Sequence, residues 1–266
     1  MRTAALRKRG RAGRDRIEHD FRRPFRKALG FNVRTGLLLL GVFGTARVLL
    51  VLQANVTGSY QLVSIVFVAM AALPWVVLSR TGRNRIGLVK PTRWRWMPVA
   101  LLAGMLACGA IYAANLAIWG DTTSNPFVYI SQSYSSVPST MTLDDRFIYF
   151  AIYALIGVTF SPIGEELLYR GIAHDSFAMK LGNRAAAAID AAAFALVHLA
   201  HFGIVYMVGS WSFLALPAIV WVGAMFLSAL IFYWFRALTG SLAGAIVAHA
   251  SFNLAMNVII FFLVLG

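Results

Sequence analysis

Polar side chains able to move protons fall inside apolar runs in the second half of this 266-residue chain. They are Glu165, Glu166 and Arg170, then Asp190, His198 and His201, then His249 with Asn253. Ionisable groups are rare in hydrocarbon, and where they occur they face a bundle interior or a wet cavity. Spread over three predicted helices, these read as one site. The inventory suits amide hydrolysis, which needs an activated water, a proton shuttle and donors for a tetrahedral oxyanion. A carboxylate between apolar walls is a competent base near neutral pH, and an imidazole can take and return the proton. An imidazole N–H and a carboxamide NH2 one turn apart can donate to a single oxygen. No Ser or Cys is among these groups. The same groups would serve a proton relay through Asp190, so a proton-coupled transporter is a competing class.

Spacing adds geometry. Glu166 and Arg170 are i,i+4 and share a helix face, so they can pair. Glu165 is turned about 100° from Glu166, so the two acids meet different partners. Phe194 and His198 share a face, as do His249 and Asn253. Pro162 precedes the acids; an interior proline frees the carbonyl four residues back, here Val158, and predicts a bend there. Glu165, His198 and His249 are also a Glu/His/His set that could ligate zinc with one open position. No H-E-x-x-H is present, and direct activation of water by Glu and His is the preferred reading, with zinc the alternative.

The elements that must position these residues are membrane helices. The chain is 59% hydrophobic and 13% charged, against about 25% charge in soluble domains. Apolar runs of spanning length predict about seven helices, at 35–53, 61–79, 97–119, 147–169, 186–204, 211–235 and 241–264. Arg47 interrupts the first and makes it the weakest. Residues 1–34 read as a basic tail and 35–266 as the membrane domain, all-α, with its chemistry in the second half. The formal charge is +14, yet 12 of 24 Lys+Arg lie within residues 1–34 and six more between Arg80 and Arg95. Charge placed beside apolar runs is a topology signal and a contact for anionic headgroups, and no nucleic-acid motif accompanies it. Seven spans put these blocks, residues 170–184 and Arg236 on one side, which the positive-inside rule makes cytoplasmic, together with the N-terminus. Plasma membrane is the expected location. No cleavable signal is read at the N-terminus, the long 120–146 loop reads as a connector outside the cytoplasm, and lone Cys108 reads as a small buried residue. No internal repeat supports a transporter of the inverted-repeat kind.

Three motifs occur in order: "EELLYRG" (165–171), "FALVH" (194–198) and "HASFN" (249–253). They match E-E-x-x-x-R, F-x-x-x-H and H-x-x-x-N. In these, residues 145–264 resemble the CPBP family of CAAX-protease and bacteriocin-processing proteins, also called Abi, relatives of the type II CAAX prenyl endopeptidases. The resemblance implies an all-α membrane bundle and hydrolysis of a peptide bond in a hydrophobic or lipidated peptide or protein. It implies Glu165 as general base, His198 as the residue that binds and orients water, His249 and Asn253 as oxyanion donors, and Glu166 and Arg170 in support. It assigns nothing to His174, Asp190 or His201. The family also holds immunity proteins, so a non-catalytic immunity or scaffold role is the alternative. One difficulty follows from the predicted boundaries. Glu165 would lie near a helix end, whereas His198 lies about 18 Å and His249 about 12 Å into theirs, at 1.5 Å per residue.

Overall fold

The computed structural model describes residues 20–134, 137–138, 140 and 142–265. Its helices are α1 (Val33–Thr57), α2 (Gln61–Val77), α3 (Arg80–Arg85), α4 (Trp96–Trp119), α5 (Pro126–Ser131), α6 (Leu143–Glu166), α7 (His174–Leu181), α8 (Asn183–Val197), α9 (Ala215–Thr239) and α10 (Leu242–Ile259). A π-helical segment, Leu167–Ala173, joins α6 to α7 without a break. A hairpin of β1 (Ile204–Met207) and β2 (Ser210–Phe213) separates α8 from α9. The fold is an all-α polytopic bundle. Among the described residues, five helical runs are long and apolar enough to cross a membrane: α1, α4, Leu143–Leu181, α9 and Leu242–Val264. α2 is apolar but only 17 residues long, and α8 has 15. Length and composition thus support five full spans, and leave the expected second and fifth, 61–79 and 186–204, as shorter helices.

The bundle is apolar outside and keeps its membrane-embedded charges inside, within an apolar core. Leu38, Leu106, Leu155, Ile219 and Leu227 stand exposed, while Arg47, Glu165, Glu166, Arg170 and Asp190 are buried. That is the pattern of a protein solvated by lipid chains, with its charges turned to the interior. α10 packs along α4, α6 and α9. Two glycines set the spacing beside the predicted site residues. A methyl group added at Gly104 of α4 would run into the Ala248 carbonyl next to His249, and one at Gly164 would run into the Phe67 carbonyl next to Glu165. Small residues let backbones meet where no larger side chain fits.

Three local expectations change. The helix that carries the acids does not end near residue 169; it continues to Leu181. The sequence after Arg170 looks like a loop because it is polar, but His174 and Ser176 are buried in a helix that packs against α8. The helix is also continuous through Pro162, and its departure from α geometry comes one turn later, as the π segment. Described residues within the 120–146 connector pack against the bundle. Phe127 of α5 is fully buried, with its ring edge-on to Tyr112 and Trp221 at 5.1 and 6.5 Å, and Tyr134 Oη donates to Asn257 Oδ1 at 3.1 Å. Residues 20–32, part of the expected tail, pack too. Phe21 is buried and the Arg22 amide donates to the Val77 carbonyl at 2.9 Å. The rest of that tail, residues 1–19, lies outside the described residues.

Candidate active site

The turn at Gly182 explains how acids and histidines reach one depth. α6, the π segment and α7 run into this turn, and α8 runs back from it. His174 and Asp190 stand eight residues either side of Gly182, Arg170 and Phe194 twelve, and Glu166 and His198 sixteen. Each pair is level on an antiparallel helical hairpin, so the mismatch inferred from the sequence disappears once the first helix is extended to Leu181. The pairs also touch. His174 Nδ1 is 2.7 Å from Asp190 Oδ2, and the Arg170 guanidinium lies 4.4 Å from the Phe194 ring centroid.

The two adjacent acids diverge. Glu166 faces the hairpin and α10: its Oε1 accepts from Arg170 Nη1 at 3.1 Å and lies 2.8 Å from His249 Nδ1. Arg170 Nε is also 3.7 Å from Asp190 Oδ1, so one buried guanidinium stands between two carboxylates. Glu165 faces the other way. Its Oε1 pairs with Arg47 of α1, its Oε2 accepts from Ser161 Oγ at 2.8 Å, and that Oε2 is 3.7 Å from His249 Nε2. His249 therefore bridges the acids, one ring nitrogen toward each. Its ring stacks on Phe232 of α9 at 4.6 Å with planes 12° apart, which fixes its orientation.

His198 caps α8. Its Nδ1 lies 2.6 Å from the Phe194 carbonyl, which can only accept, so Nδ1 carries the hydrogen and Nε2 carries the lone pair. That Nε2 lies 3.1 Å from Arg47 Nη2, and His201 Nε2 is 3.3 Å from the same nitrogen. The structure thus brings Glu165, Glu166, Arg170, His198 and His249 into one buried group. Asn253 is one turn along α10, where its Nδ2 donates to the Gly157 carbonyl at 3.0 Å. One of its two N–H bonds is thereby used to hold α10 to α6.

The residues as placed do not make a zinc site. Glu165 and His198 both hold the Arg47 guanidinium, while His249 turns Nδ1 to Glu166. Among the described residues no three His, Cys, Asp or Glu side chains are arranged to hold a metal.

Residues 147–255 match the family described as type II CAAX prenyl endopeptidase Rce1-like. This segment is similar to that family. It contains all six residues that the motifs singled out, and it starts after α1 and α2. No curated protein and no solved structure matched the chain. The Rce1-like family is one of CAAX-type proteases, and with five described helices long and apolar enough to cross a membrane the chain is an integral membrane protein.

Sequence reading missed three parts of this group. Arg47 entered it only as a blemish in the first span, although an arginine midway along a 25-residue apolar helix is itself a signal, because its insertion costs about 2.5–3.5 kcal/mol unless something inside the bundle takes the charge. Asp190 stood out as ionisable but without a partner, and His174 was its partner. Phe232 carries no signal, being one of 19 phenylalanines.

Proposed function

We propose that the protein is an intramembrane endopeptidase. It hydrolyses a peptide bond in a membrane-associated, hydrophobic or lipidated peptide or protein, with water activated directly by Glu165 and His198 and without a metal. The convergence of Glu165 and His249 at 3.7 Å, in a buried polar group within the Rce1-like segment, carries this reading. Glu165 takes a proton from water, and the water oxygen bonds to the scissile carbonyl carbon. His198, whose Nε2 lone pair faces the Arg47 guanidinium on the Glu165 side, orients that water. The oxyanion is met by the N–H of Asn253 that Gly157 does not use and by His249 through Nε2, the nitrogen on the Glu165 side, a role that requires a hydrogen on both ring nitrogens because Nδ1 faces the Glu166 carboxylate. The proton held on Glu165 passes to the amide nitrogen as the C–N bond breaks, leaving a carboxylic acid and an amine. Glu166 and Arg170 hold His249 from behind.

The protein sits in the plasma membrane with its N-terminus in the cytoplasm, where its basic residues meet anionic headgroups; the charge placement supports this, and nucleic acid has no place in the scheme. The test compares peptide termini in membranes of cells that make the wild-type or the Glu165→Gln protein. Termini present with the first and absent with the second are expected, at equal amounts of folded protein. Identical termini would leave a non-catalytic immunity or scaffold role in its place.

A further inference from the structure

Arg47 is 2% exposed and lies on α1, outside the segment that matches the family. Its Nη1 pairs with Glu165 Oε1, and its Nη2 reaches the Nε2 atoms of both His198 and His201. The guanidinium carbon lies 5.4 Å from the Phe67 ring centroid. α1 is tied to the same stretch a second time. Asn55 Nδ2 donates to the Ala200 carbonyl at 2.8 Å, and Tyr60 Oη donates to Asn55 Oδ1 at 2.7 Å. The Tyr60 ring in turn stacks on His201 at 6.3 Å. Burial pushes the Tyr60 hydroxyl up to about 12, so it stays a neutral donor. A buried cation that only balanced Glu165 would need one contact. This one spans an acid and two imidazoles from a helix pinned beside them. A planar fork of five N–H donors can hold a carboxylate and imidazole lone pairs at once, which a lysine ammonium cannot do in the same plane.

We propose that Arg47 is a positioning residue of the site. It fixes Glu165 and directs the His198 Nε2 lone pair to the same point, so that base and water ligand keep one spacing. The purpose rests on the hydrolytic reading above; the first measurement below does not. Full-length protein with ¹⁵N-labelled histidine is placed in detergent micelles, and the His198 Nε2 resonance is assigned by its loss in His198→Gln. In Arg47→Met it is expected to move to the position of a free lone pair, and in Arg47→Lys to return part of the way. An unmoved resonance in Arg47→Met overturns the proposal. Should Arg47→Met fail to accumulate, the Arg47→Met/Glu165→Gln double variant, which removes both charges, is expected to accumulate and show the same shift. Failure of both would make Arg47 a packing element and overturn the proposal. In cells, Glu165-dependent termini are expected to fall about 10- to 100-fold in Arg47→Met, the size of one lost charged hydrogen bond; unchanged termini also overturn it. If no terminus depends on Glu165, the hydrolytic reading falls, and the nitrogen shift still decides whether Arg47 holds His198.

Discussion

Glu165 and Glu166 differ in sequence position by one and in role by a whole helix face, because 100° of rotation sends one toward α1 and the other toward α8 and α10. Arg170 carries the second acid. It is fully buried, pairs with Glu166, stands near Asp190 and lies over Phe194. Removing one member of a buried ionic group leaves the others uncompensated, at about 3–5 kcal/mol. Arg170→Met should therefore lower the thermal melting temperature in detergent sharply. Arg170→Lys should fall between, since an ammonium keeps the charge but loses the flat contact with the ring. Asn253 gives a subtler case. Its Nδ2 bond to the Gly157 carbonyl is worth about 1 kcal/mol. Asn253→Ala should lower both cleavage and melting temperature, and Glu165→Gln, which leaves the buried Arg47 guanidinium without its counter-charge, should abolish cleavage and lower the melting temperature further.

At the level of elements, the hairpin turned at Gly182 and the tight seams of α10 set the site. The hairpin places residues level in pairs, and a second buried polar contact, His174 with Asp190, lies eight residues from its turn. Asp190→Asn should weaken the hairpin, read as faster amide exchange in α7 and α8, and vesicles under a pH gradient should show no uptake that depends on Asp190. On the other side, α4 can approach α10 only because Gly104 has no side chain. Gly104→Val should part the two helices, shift His249 and reduce both melting temperature and cleavage, while Gly109→Val, a glycine with open space around it, should change neither. The π segment follows the acids directly, and such segments are frequent at functional sites.

For the whole molecule, the testable property is orientation. Cys108 is the one cysteine and is buried, so introduced cysteines report cleanly. An impermeant maleimide applied to intact cells should label Val208→Cys, at the exposed tip of the β1–β2 hairpin, and should label Arg93→Cys only after the membrane is opened. The opposite result would invert the charge-based topology. The bundle also joins its halves. Arg47 and Asn55 bring α1 to the His198–Ala200 stretch, so the matched segment does not complete the buried group by itself.

Composition and motif spacing were enough to define an all-α membrane protein with an Rce1-like segment, and to pick out Glu165, Glu166, Arg170, His198 and His249, because charge in an apolar helix is conspicuous and i,i+4 geometry is local. Which partner each charge takes was not local. Arg47 is 118 residues from Glu165, and His249 is 83 from Glu166. Helix ends were also hidden, since a polar stretch such as 170–181 reads as a loop until the faces that bury it are known. Only the packed bundle decides these matters, for a buried ion is stable only beside its counter-ion, and the two meet through the crossing of helices rather than through the order of residues.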